Sequence, residues 1–273
     1  MAFKKAEKKQ CKLRMAIFAP SGGGKTYTSL MLGKAFGKIA YIDTENGSSA
    51  KYIGDHGIPD YDIAELNYSG DAGAYVRELI SLIQEAQVSY DLIVIDSLTH
   101  AWEATKDEVD AAAKRMRYPN SFAAWKEGST LWGQLISAIV MCQTNIICCA
   151  RSKMAYEQVE DKGKKKVQKV GMSPELRDGM EYEFDIVGEM DHEHSLAITK
   201  SRCHAVADRV FDRPNESIME PILSWLSSGV PDLKAEKSAL YARLSDEARE
   251  KAGEQCAGKE LAEQVRIMQG LLE

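Results

Sequence analysis

Short, continuous apolar runs alternate along most of the chain with stretches in which apolar residues recur every three or four positions. The runs are Met15–Phe18, Ile39–Ile42, Leu92–Ile95 and Thr144–Ala150, and the more mixed segments Glu183–Met190 and Ser195–Arg202 continue the sheet. Runs that are apolar at every position, rather than at every second one, describe strands buried on both faces, as in a parallel sheet covered by helices. Helical spacing occupies Tyr27–Phe36, Asp71–Val88, His100–Met116 and Ser121–Cys142, with the last two separated by Arg117-Tyr118-Pro119-Asn120 and Asp71 placed as an N-cap. The stretch from Asn46 through Leu66 yields turn chemistry and no element. A break at Ser227-Ser228-Gly229-Val230-Pro231 precedes a segment rich in Ala, Glu, Lys, Leu and Arg whose apolar positions (Leu240, Leu244, Leu261, Val265, Met268) predict helices. The pattern predicts an α/β protein. Its parts are a basic arm over residues 1–14, a core over 15–226 with a mostly parallel sheet flanked by helices, and a helical C-terminal tail over 227–273.

A net charge of −6 over 273 residues argues against indiscriminate attraction to polyanions, so any nucleic-acid contact must come from a local basic patch. One such run is the arm, with Lys4, Lys5, Lys8, Lys9, Lys12 and Arg14 against Glu7, expected to be solvated. The densest patch within the core surrounds the turn Asp161-Lys162-Gly163-Lys164, which is flanked by alternating residues and predicts an exposed hairpin with Lys162, Lys164, Lys165, Lys166 and Lys169 at its tip. The six cysteines have no metal-binding spacing and are expected to be reduced thiols of a cytoplasmic protein. No apolar run is long enough to span a membrane, and a soluble protein is expected.

The candidate chemistry begins at the first strand. Ser21-Gly22-Gly23-Gly24-Lys25-Thr26-Tyr27 joins that strand to a helix, an order in which glycines turn the backbone N–H groups inward and the helix N-terminus adds partial positive charge. These seven residues are candidate nucleotide-binding positions. Lys25 is expected to face solvent in the empty loop and to reach the β- and γ-phosphates of ATP, and the Thr26 hydroxyl to ligate Mg²⁺. Ala19 stands where the phosphate-loop pattern has its first glycine, so the first turn must form without positive φ or with help from Pro20. Asp96, closing the run Leu92–Ile95, is the second candidate metal-site residue. Asp43 and Glu45 end another strand, and Arg151 ends a third, either as a phosphate sensor or as a surface arginine. Trp102, Trp125 and Trp132 are expected to be packing anchors. His192 and His194 are read as turn residues.

The order SGGGKT, YIDTE, LIVIDS, a fourth apolar strand, an extended loop and a late Lys-Ser-Arg resembles the RecA-like P-loop ATPases, in particular the small phage-encoded proteins that bind single strands and promote annealing or recombination. The resemblance covers roughly residues 15–226. It implies a RecA-like P-loop NTPase core that hydrolyses ATP, single-stranded DNA as partner, and a homo-oligomer, either filament or ring. By resemblance Glu45 activates the attacking water, with Asp43 as competitor; Ser97, where AAA+ motors carry their base, cannot serve. Arg151 takes the place of a polar sensor, residues 152–171 that of a DNA-binding loop, and Lys200 and Arg202 that of residues reaching a neighbouring subunit's nucleotide. Phe3 and Ala6 have the spacing with which some members dock onto the next protomer. A nucleotide-gated assembly protein with little turnover, a P-loop small-molecule kinase and a helicase-type motor stand as alternatives.

Overall fold

The computed structural model describes residues 3, 5–55, 57–118, 120–161 and 164–272, and side chains in all of these except 154–171. Among the described residues nine strands, β1 (Arg14–Ala19), β2 (Ile39–Asp43), β3 (Asp62–Glu65), β4 (Leu92–Asp96), β5 (Asn145–Asp161), β6 (Lys164–Pro174), β7 (Ile186–Met190), β8 (Ser195–Ser201) and β9 (Val210–Asp212), form one sheet. Its order is β3-β2-β4-β5-β1-β7-β8-β9, with β6 pairing to β5. From β3 to β7 every neighbouring pair is parallel; β7–β8, β8–β9 and the β5–β6 hairpin are antiparallel. The parallel strands therefore present one common C-terminal edge, the edge at which open α/β sheets bind ligands.

Alternation along each strand divides the core into two layers. Ala16 and Phe18 of β1, Ile93 and Ile95 of β4, and Ile146, Cys148 and Ala150 of β5 pack beneath α2 (Ala72–Ser89), α3 (Leu98–Arg115) and α4 (Ser121–Met141). Met15 and Ile17, Leu92 and Val94, and Ile147 and Cys149 face the opposite layer, covered by α1 (Lys25–Gly33) and α5 (Met219–Ser227). This two-sided burial is why the strands read as unbroken apolar runs. Asp71 caps α2, accepting from Ala74 N–H at 2.8 Å, and Asn120 caps α4 through Ala123 N–H. The three tryptophans pack together, the Trp102 ring 5.1 Å from that of Trp132 and 5.8 Å from that of Trp125, joining α3 to α4.

Four local expectations change. The α1 helix, which begins at Lys25, ends at Gly33 rather than Phe36, because tight turns returning Ala35 N–H to Leu32 O and Phe36 N–H to Gly33 O close it early. The fourth long strand does not stop at Arg151 but runs on into the hairpin. The edge strand β3, inside a stretch that offered no period, exists through pairing with β2. Arg14, counted with the arm, is the first residue of β1 and is buried. Its guanidinium donates to Thr144 O at 2.8 Å, to Val140 O, to Leu13 O and to Cys142 O, closing the C-terminal end of α4, where a cation also complements the helix dipole.

Arg14→Met would keep the stem and leave these carbonyls without their donor. The expected loss is roughly 3 kcal/mol, from about 1–3 kcal/mol per buried group left unsatisfied. It would be read as a lower urea midpoint at unchanged slope.

The arm itself is pinned. Gln10 N–H donates to Val230 O, Cys11 N–H to Leu226 O and Val230 N–H to Lys8 O, while Lys9 pairs with Asp232 at 2.9 Å. Gly229, at φ 104, sits against the Lys8 carbonyl with no room for a Cβ. After it α6 (Leu233–Arg243), α7 (Asp246–Cys256) and α8 (Leu261–Gly270) enclose a small core of their own around Leu240, Leu244, Ala252, Val265 and Met268. Among the described residues no helix is long and apolar enough to cross a membrane. All six cysteines are unpaired, and all but Cys11 are buried.

Candidate nucleotide and metal site

A cleft of about 1200 Å³ opens at the C-terminal edge of the sheet, lined by the β1–α1 loop, the segment after β2, the root of the β5–β6 hairpin and the turns flanking β8 and β9. The β1–α1 loop is shaped by Gly22 (φ 76) and Gly24 (φ 92), both left-handed, and Gly24 is the N-cap of α1. No side chain caps that helix start, so its first N–H groups are left for a ligand, the arrangement that binds phosphate. Ala19 needs no positive φ: it ends β1 in register with Arg151, and the turn beyond it closes through Gly23 N–H donating to Pro20 O at 3.0 Å.

Lys25 is not solvent-facing as expected. It is 8 % exposed, because it opens α1 directly over β5, and it still lines the cleft. One residue later Thr26 Oγ1 donates to Asp96 Oδ2 at 2.5 Å. Asp96 lies at the end of β4, 1 % exposed; burial pushes its carboxyl above the usual range, opposed by the Thr26 hydrogen bond, the Lys25 charge and the Tyr41 hydroxyl. Its second oxygen, Oδ1, is buried with no hydrogen-bond partner in the protein. A hydroxyl and a carboxylate with one buried oxygen unsatisfied, beside a phosphate-binding loop, is a donor set that fits Mg²⁺, which takes oxygen ligands and keeps several waters.

The two carboxylates after β2 separate clearly. Asp43 is 1 % exposed and saturated, accepting from Glu45 N–H at 2.7 Å, Ser49 N–H at 2.9 Å and Ser49 Oγ at 2.5 Å. It fixes the Glu45–Ser49 turn and has no free face for water. Glu45 reaches the cleft, where Oε1 lies 3.1 Å from Nε of Arg151. Between them Thr44 ties this turn to the end of β4: its hydroxyl accepts from Ser97 N–H at 2.6 Å, donates to Ser97 O and lies 2.8 Å from His100 Nδ1. Ser97 itself is wholly buried, its hydroxyl unpartnered, away from any path to solvent.

Other candidates fall elsewhere. Lys200 and Arg202 lie toward the opposite edge of the sheet: Lys200 pairs with Val187, which is level with Ala16 and three residues below the end of β1. Neither can reach its own chain's cleft. Lys200 Nζ donates to the carbonyls of Glu181, Tyr182 and Phe184, and Arg202 pairs with Asp185 at 2.9 Å while remaining largely exposed. Lys162 lies outside the described residues; Lys164, Lys165, Lys166 and Lys169 belong to β6. Phe3 is fully exposed.

The sequence pattern missed the far wall of the cleft. His194, in the β7–β8 turn at φ 68, brings Nδ1 so close to Gly24 that an added Cβ would lie 3.1 Å away, and Arg213 and Asn215 follow β9 beside it. Tyr27 and Tyr52 form the near wall, their rings 6.1 Å apart edge to face. Only the antiparallel pairing of β8 with β9 brings His194 and Arg213 together, and nothing local signals it.

A glycine-rich loop between strand and helix, a Thr–Asp pair beside it and a parallel sheet define a P-loop nucleoside-triphosphatase fold. The AAA domain family model matches residues 11–216, and the chain belongs to that family. No curated protein matches it. Among the solved structures that do is a prototypical ATPase from the type III secretion system of pathogenic bacteria, with 12 % identity and a TM-score of 0.42, covering 96 % of this chain and 81 % of that one.

Proposed function

We propose that the protein is a RecA-like ATPase that assembles on single-stranded DNA in annealing or recombination, with hydrolysis governing release. The observation that carries the reading is the position of Glu45: a carboxylate just after β2 that lines the same cleft as Lys25, while Asp43 and Ser97 are buried and engaged or enclosed. In this reading the loop N–H groups and Lys25 hold the β- and γ-phosphates. Glu45 accepts the proton of a water whose oxygen attacks the γ-phosphorus as the bond to the ADP oxygen breaks. Thr26 and Asp96 hold Mg²⁺, which when bound neutralises charge on the phosphate oxygens. Arg151 moves from Glu45 to the γ-phosphate, so that the same arginine restrains the base without nucleotide and senses it when bound.

Lys200 and Arg202 act on a neighbouring subunit's nucleotide in a filament or ring, consistent with their distance from their own cleft. The lysines of the β5–β6 hairpin, with Lys162, contact the strand's phosphates; the hairpin springs from Arg151, so its movement couples directly to the cleft. A second reading, nucleotide-gated assembly with little turnover, is favoured by the Glu45–Arg151 ion pair itself, which occupies the base.

Phosphate release measured with single-stranded DNA, with duplex and with neither separates the two: stimulation by single strands supports the first, and slow release in all three supports the second. Replacing Lys164, Lys165 and Lys166 by Ser is expected to flatten the slope of log affinity against log salt by about 2, at ~0.7 per single-strand phosphate contact. ATP binding without DNA should persist, and an unchanged slope would remove the hairpin as the DNA site.

A further inference from the structure

One buried polar group that the nucleotide site leaves unexplained is a tyrosine hydroxyl. Tyr41 is the third residue of β2, fully buried among Ile39, Ala40 and Ile42 in a strand whose other polar residue is its last, Asp43. A phenylalanine would fill the same space without bringing a hydroxyl into the core, where such a group is costly unless bonded. Strand alternation explains what it meets. Ile39 and Tyr41 of β2 face the α1 layer, as do Leu92 and Val94 of β4, and Asp96 continues that series. The Tyr41 hydroxyl donates to Asp96 Oδ2 at 2.8 Å. That oxygen also accepts from Thr26 Oγ1, so it has two donors from two elements, while Oδ1 has none. The Tyr41 ring is held in turn by Tyr61, 5.5 Å away, whose hydroxyl donates to Ser49 O in the turn after Asp43.

We propose that Tyr41 is a positioning residue for the metal site: its hydroxyl anchors Asp96 through Oδ2, so that Oδ1 is the oxygen presented to a divalent cation. The proposal rests on the nucleotide-site reading above. A carboxylate held at one oxygen by Thr26 alone pivots about its Cβ–Cγ bond and exchanges its two oxygens. A second donor on the same oxygen, coming from β2, fixes its plane. Thr26 uses its one proton on Asp96 and keeps its lone pairs for the cation, so the anchor must come from a group that has no other task. Tyr41, sealed from solvent, fits that requirement. Removing a partner that orients a metal ligand costs about 10–100-fold in metal affinity.

The test is a Mg²⁺ titration of the binding of a fluorescent ADP analogue, beside the same measurement in EDTA. Tyr41→Phe is expected to raise the half-saturating Mg²⁺ about 10-fold or more, leaving nucleotide affinity in EDTA unchanged; a defect of packing alone would move both. Asp96→Asn must also raise it, and Tyr41→Phe added to Asp96→Asn should shift it no further. A folded Tyr41→Phe chain with an unaltered Mg²⁺ midpoint, beside a shifted Asp96→Asn chain, overturns the role of Tyr41 while keeping the site. An Asp96→Asn chain with unaltered Mg²⁺ dependence overturns the site reading and the proposal with it. Should Tyr41→Phe not fold, the wild-type chain answers: the slowly exchanging Tyr41 hydroxyl proton must persist in the Mg²⁺–ADP complex by NMR, and its loss there overturns the proposal.

Discussion

Glu45→Gln is expected to bind ATP as tightly as the wild type and to turn it over at least about a hundredfold more slowly, since a positioned general base contributes roughly 10²–10⁴. The amide keeps the shape of the carboxylate and an acceptor oxygen for Arg151, but it takes no proton from water. The fold should be unaffected. The Glu45–Arg151 pair is partly exposed on both sides and of a kind worth about 0–1 kcal/mol. Asp43→Asn is the informative contrast: Asp43 accepts three hydrogen bonds that shape the turn carrying Glu45, so its loss should lower stability and activity together. Single-turnover phosphate release and equilibrium binding on the two variants separate chemistry from architecture. Turnover retained in Glu45→Gln would place the base elsewhere.

How far the sequence discloses this site depends on whether each residue's surroundings are local. The β1–α1 loop was legible because its glycines, Lys25 and Thr26 are consecutive, and a short chain segment suffices to build an anion cradle. The long strands were legible because burial on both faces leaves an unbroken apolar run. Three kinds of information were not. The short edge strands β3 and β9 owe their existence to a neighbour strand rather than to their own composition. The roles of Asp43 and Glu45 differ through which one Ser49 and its backbone N–H satisfy, a contact visible only once the turn is folded. His194, read as a turn residue, is one, yet the parallel pairing of β7 with β1 carries its turn to the mouth of the cleft beside Gly24. Arg14 shows the same limit from the other direction. In the sequence it is the last of six basic residues, and only the fold, which brings the C-terminal end of α4 within reach of β1, turns it into a buried helix cap.

Lys25→Ala is expected to weaken ATP binding by roughly 30-fold to several-thousand-fold, the ~2–5 kcal/mol that follows from removing one partner of a buried, hydrogen-bonded charge pair. The burial of Lys25 sharpens this expectation. An exposed lysine would lose hydration to bind phosphate and would be replaceable by neighbouring cations, whereas a side chain 8 % exposed meets the phosphates already largely desolvated. Neither Lys51 nor Arg213, which line the outer cleft, is in place to substitute from the first turn of α1. The substitution should leave the fold standing, because alanine is the strongest helix former and its small side chain introduces no clash. Lys25→Arg should not rescue, since the wide planar guanidinium cannot follow a point charge into a cradle sized for an ammonium. Isothermal titration with ATP and with ADP reads the outcome. The loss should be larger for ATP, which brings the γ-phosphate that Lys25 is placed to meet, and equal, small losses for both would mean that the loop holds something other than a nucleoside triphosphate.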